Sequence, residues 1–145
     1  MSEPPPQRRT LRSVGAVLAG ALAGIFLSLG TDLLMHAIGF FLPLGQPMAS
    51  GPLLVATVYR TIYGVIGSYI AARLAPYRPM LHAMVLGFLG FLVSTIGAVV
   101  TWNREAEFGP HWYPVALILL ALPSAWLGGA LGRRAVLRSR NYRPA

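Results

Sequence analysis

Cysteine and lysine are both missing from this chain, and acidic residues nearly so, with four Asp and Glu in 145 residues. Without cysteine there is no structural disulfide, thiolate nucleophile, CxxC redox pair or lipobox anchor, which excludes a membrane thiol oxidoreductase. Charged residues make up 11% of the chain, whereas soluble domains carry roughly 25%. A water-soluble fold of this size would need more polar surface than the sequence supplies. Period-2 alternation of apolar and polar residues is also missing, which argues against a β-barrel. No GKS or GKT follows the glycines, so none forms a phosphate loop, and there is neither an HExxH motif nor a paired Glu-x-x-His.

What the chain has instead is apolar length. Hydrophobic residues are 55% of the whole and the mean hydropathy is +0.60. Four apolar stretches, at about 14–42, 52–75, 80–102 and 111–131, each reach the ~20 residues that cross a bilayer core. The expectation is an all-α membrane protein: a four-helix transmembrane bundle made of two antiparallel helical hairpins. Residues 1–13, with their run of prolines, read as a disordered tail. Residues 14–132 form the four-span domain, and 133–145 a basic tail. The first stretch is too long for a signal h-region of about 7–15 residues, so it reads as an uncleaved anchor and first span. Its excess length predicts tilt, protrusion or a break near Gly30. Pro52 opens the second span at a favoured first-turn position, and Pro123 predicts a kink or loosening in the fourth.

Twelve basic residues, all arginine, set the net charge at +8. They gather at segment ends and are not interleaved with aromatics, so nucleic-acid binding is not expected. Arg8, Arg9 and Arg12 precede span 1, Arg73 and Arg78 flank the second loop, and Arg133, Arg134, Arg138, Arg140 and Arg143 follow span 4. The first loop has none, and the third has Arg104 beside Glu105 and Glu107. By the positive-inside rule both termini are cytoplasmic, in a plasma membrane of bacterial inner-membrane type. Trp102, Trp112 and Tyr113 then mark the outer interface. The cytoplasmic arginines would contact anionic lipid headgroups, whereas His82, near the inner end of span 3, would reach the headgroup region.

Lipid-embedded helices associate through small residues that let backbones approach. Span 1 carries Gly20, Gly24, Ser28, Asp32 and His36 four apart, and span 2 carries Ala56, Arg60, Gly64, Ser68 and Ala72 likewise. Facing these ridges predicts Gly24 near Ser68 and Asp32 near Arg60. Depth agrees: Asp32 lies roughly 15 Å below the end of span 1 and Arg60 roughly 12 Å below the start of span 2, by helical rise. Either charge alone at the centre of a span costs about 2.5–3.5 kcal/mol, and pairing offsets much of that. Spans 3 and 4 also carry small-residue seams, so a homo-oligomer or a membrane-protein partner has surfaces to use.

The residues left over by spanning and packing are Asp32, His36, Tyr59, Arg60 and Tyr63, a polar cluster in the outer half, with Trp102, Asn103, His111 and Trp112 as a rim. Intramembrane ionisable residues mark functional sites by default, yet a matched charge pair also serves as a staple that fixes register. The Asp-x-x-x-His step puts a carboxylate and an imidazole on one face, where they can share a proton. Asp32, His36 and His111 are ligand types that zinc accepts, but His111 stands about 9 Å above His36 by helical rise. No metal and no cofactor is therefore expected. Three functions remain open. The first is binding or transport of a small solute, ion or proton through an outward pocket between spans 1 and 2. The second is an accessory subunit without activity of its own. The third is an intramembrane enzyme with Asp32 and His36 as acid and base, for which no catalytic motif is found.

Overall fold

The computed structural model of the protein describes residues 6–43, 46 and 48–141. The first five residues, three positions of the first loop and Arg143 lie outside that range, as do the side chains of Arg8, Glu107 and Arg140. Five helices follow in order: α1 Pro6–Ala37, α2 Ser50–Leu74, α3 Pro79–Thr101, the single turn α4 Glu105–Phe108, and α5 Trp112–Asn141. There is no strand among the described residues. All four long helices are long and apolar enough to cross a membrane, over Arg9–Ala37, Ser50–Leu74, Pro79–Thr101 and Trp112–Ser139.

Helix ends depart from the hydropathy boundaries in both directions. α1 begins at Pro6, inside the stretch expected to be a disordered tail. Proline is tolerated in a first helical turn, and the Gln, Arg and Leu that follow are good helix formers. Ser13 Oγ donates back to the Arg9 carbonyl at 3.0 Å. At its other end α1 stops at Ala37, although the apolar run continues to Leu42. Gly39 stands at φ +75°, a left-handed conformation that glycine adopts without penalty and that commonly ends helices. The amides of Phe40 and Phe41 both donate to the Met35 carbonyl at 3.0 Å. The chain thus folds back and carries Phe41 into a buried cluster with Ala56 and Tyr59. No break occurs at Gly30. α5 likewise runs without interruption through Pro123 and nine residues beyond Gly132, so most of the expected basic tail is helix.

α2 is the centre of the bundle. Its most extensive contact is with α5, it shares a long seam with α1, and it also touches α3; α3 and α5 pack closely, while α1 meets α3 only narrowly. The seams depend on glycine at points where backbones meet. A Cβ on Gly67 would stand 2.6 Å from the Gly20 carbonyl oxygen, and one on Gly128 would stand 2.8 Å from Ser68 Cβ and 2.9 Å from the Tyr69 amide nitrogen. These contacts correct the expected ridge pairing. Gly24 faces the Tyr63 carbonyl at 3.6 Å, not Ser68. The Gly64–Ser68–Ala72 ridge instead packs on α5, against Ser124, Gly128 and Gly132. α1 occupies the neighbouring ridge of α2, formed by Tyr63, Gly67 and Ala71.

The turn between α2 and α3 holds the one non-glycine residue of positive φ among those described, Arg78 at φ 41°. This conformation costs an L-residue about 1–2 kcal/mol. His82 is buried at 4% exposure. Its ring packs edge-on against Tyr77 at 5.3 Å and its Nδ1 donates to the Arg78 carbonyl at 3.3 Å. It therefore braces this turn and does not reach the surface as expected.

Candidate functional site: a charge pair between α1 and α2

Asp32 leaves α1 between one and two turns before that helix ends, opposite the end of the third turn of α2. Its carboxylate accepts two hydrogen bonds, from the Tyr59 hydroxyl through Oδ1 and from the Arg60 guanidinium at 2.6 Å through Oδ2. One turn deeper, Thr31 Oγ1 and the Tyr63 hydroxyl are 2.8 Å apart. The Tyr59 and Tyr63 rings lean together at 5.6 Å between centroids. Adjacent positions on α2, Tyr59 and Arg60, reach the same carboxylate because they flank the direction in which α1 lies. Tyr63 is one turn on from both, on the same side.

His36 does not orient through the Asp32 carboxylate. Its Nδ1 lies 2.8 Å from the Asp32 backbone carbonyl, so Nδ1 carries a proton, because a carbonyl only accepts. The ring packs edge-on against Phe41 at 5.4 Å. Its Nε2 is buried with no hydrogen-bond partner, and so is the Nε of Arg60. These two orphans differ in kind: Arg60 Nε–H needs an acceptor, and the Nε2 of neutral His36 needs a donor. The pair is not sealed. The Arg60 side chain is 36% exposed and that of Asp32 21%, although Tyr59 beside them is buried.

Four residues that hydropathy and spacing did not assign to the cluster complete the site. Tyr113, expected in the interfacial belt, packs with Met35 and Met48 on the cluster of Phe41, Ala56 and Tyr59. Thr31 supplies the partner of Tyr63. The Asp-x-x-x-His and Tyr-Arg-x-x-Tyr steps gave no warning of Thr31; being next to Asp32 was the available signal.

Of the rim residues, Trp102 and His111 form an assembly of their own. The Trp102 indole stacks on His111 at 4.0 Å. His111 Nε2 lies 2.6 Å from the Trp102 carbonyl and its Nδ1 2.8 Å from Glu105. Both partners are acceptors, so this geometry is complete when His111 carries two protons. Trp112 packs edge-on against Tyr113 at 6.0 Å, and Asn103 is exposed. No group of three or more His, Asp or Glu that could hold a metal ion occurs among the described residues.

The fold thus defines a class, that of all-helical chains with four helices long and apolar enough for a multi-pass membrane protein. Comparison with protein families, with curated proteins and with solved structures finds no match to this chain.

Proposed function

We propose that this is a four-span plasma-membrane protein, of bacterial inner-membrane type with both termini cytoplasmic. On this reading it binds or moves a small polar solute, ion or proton through an outward-facing polar pocket between α1 and α2. The observation that carries this reading is the incomplete closure of the Asp32–Arg60 pair. A guanidinium more than a third exposed at this depth faces lipid, water or another protein. Lipid is the costly choice, at about 2.5–3.5 kcal/mol for an arginine at the centre of a span. Water, or a solute with both donor and acceptor groups, also answers the two orphaned atoms, Arg60 Nε and His36 Nε2.

A second reading has its own observation. α1 meets the rest of the bundle mainly through α2, so a second copy or a different membrane protein could cover the exposed side of the pair. The protein would then be an accessory subunit, with Asp32 and Arg60 as a staple.

Flux measurements in proteoliposomes separate the two. Wild type is expected to collapse an imposed proton or ion gradient faster than protein-free vesicles, and Asp32→Asn to abolish this. The charge-exchanged variant Asp32→Arg/Arg60→Asp keeps the attraction but reverses the chemistry offered to a solute. Restored folding without flux supports the pocket. A wild type with no flux for any small ion, and a fully stable exchanged variant, would leave the staple.

A further inference from the structure

At the opposite end of the bundle α5 runs past the α2–α3 turn, and the two border an open cavity of about 530 Å³. Tyr77 and Arg78 of the turn line one side, and Arg133, Val136 and Leu137 of α5 the other. The three α5 residues are three and four apart, so they share one helix face. That face exists because α5 continues as helix beyond the apolar span. We propose that this cavity binds the phosphate of an anionic phospholipid headgroup. The site rests on the reading of the four helices as membrane spans, and it is independent of the pocket at Asp32.

Three observations support the assignment. Charge comes first. Two guanidiniums line one cavity, and among the described side chains no carboxylate lines it with them. Among the described side chains the carboxylates are Asp32, engaged with Arg60, and Glu105, engaged with His111. Both belong to the other end of the bundle. Guanidiniums offer forked donors that match a phosphate.

Shape is the second. Arg78 is held at φ 41° by a turn that the buried His82 braces through the Arg78 carbonyl, so the residue is fixed in place at the cavity wall.

The third is the mixed character of the lining, which separates a lipid from a free phosphate. Val136, Leu137 and Pro76 supply apolar surface beside the arginines, and Leu137 is 49% exposed. The cavity lies where α2 ends and α3 begins, the level at which headgroups meet acyl chains. A soluble phosphate has no use for that apolar wall, whereas a lipid puts its glycerol and upper chains against it.

The test uses the full-length protein in a mild detergent, with lipid binding read by native mass spectrometry. Phosphatidylglycerol is expected to bind wild type more tightly than phosphatidylcholine. Arg78→Asn/Arg133→Gln is expected to weaken phosphatidylglycerol binding by roughly thirtyfold, since each arginine near an anionic surface contributes on the order of fivefold. Asparagine tolerates the left-handed conformation, so the turn is kept. Arg134→Gln/Arg138→Gln removes two charges outside the lining and is expected to retain binding within about threefold, a residual long-range effect. Leu137→Glu, which puts a carboxylate at an exposed position of the wall, is expected to match the loss at Arg78 and Arg133 without touching either. The proposal is overturned if the two double variants weaken binding equally, if both lipids bind alike, or if Leu137→Glu has no effect. Competition by glycerol phosphate at the same concentration as the lipid would overturn the lipid assignment in favour of a free phosphate.

Discussion

The two halves of the α1–α2 seam hold together by different means. In the half nearer the arginine-rich end, backbone meets backbone: Gly20 and Gly67 leave no room for a Cβ. In the other half the helices are linked through side chains, with Tyr59, Arg60 and Tyr63 of α2 reaching Asp32 and Thr31 of α1. The first kind of contact tolerates no added atom and needs no polar group. The second leaves a guanidinium and a carboxylate partly uncovered. One pair of helices therefore carries a close-packed half and a half whose charged groups stay partly exposed.

Substitutions test that contrast, and the largest effect is expected in the close-packed part. At Gly128, where α5 presses on Ser68 and Tyr69, leucine would force the helices apart, because backbone atoms cannot rotate away. A loss of about 3 kcal/mol or more is expected, measured by unfolding in mixed detergent. Asp32→Asn comes next. It strips the counter-charge from Arg60, and fully buried pairs lose about 3–5 kcal/mol on such a change. With Arg60 at 36% exposure, the expected loss is smaller, about 2 kcal/mol. Removing only the Tyr63 hydroxyl, by Tyr63→Phe, breaks the single bond to Thr31 and is expected to cost about 0.6 kcal/mol, as interhelical hydrogen bonds in membranes do.

The smallest effect sharpens the comparison from the other side. Gly90 and Gly97 of α3 have nothing within 4 Å of an added Cβ. Alanine at either is expected to be neutral or to stabilise the monomer by up to about 1 kcal/mol through helix propensity. If Gly90→Ala instead lowers the apparent mass in size-exclusion chromatography, α3 packs against a second copy.

How far the sequence carried can be judged from particular residues. Asp32 and Arg60 were legible as partners because Asp32 is the one aspartate of the sequence, Arg60 is the arginine placed far from either end of its span, and their depths match. The facing ridges of α2 were not. Gly64–Ser68–Ala72 and Gly67–Ala71 are both small, because α2 is gripped by α5 on one side and α1 on the other. A pattern of small residues shows that a helix is closely packed, not which neighbour packs on it. Helix ends were misread for a related reason. Hydropathy reports burial in lipid, while helix formation depends on backbone propensity. The helical arginine-rich extensions of α1 and α5, and the non-helical but apolar Ile38–Leu42, separate the two properties. Tyr113 looked interfacial by position, and only the fold-back of Phe41 shows the cluster it joins.

The central claim is that the Asp32–Arg60 pair borders water. Because the chain has no cysteine, single thiols can be introduced with no background to remove. Tyr63→Cys, beside the pair, and Ala71→Cys, fully buried between α1 and α2 at 0% exposure, would be treated with a membrane-impermeant thiol reagent on intact cells. Labelling at 63 from outside, with none at 71, is the result expected of an outward pocket. Equal protection of both positions, lost only when the membrane is dissolved, would contradict it.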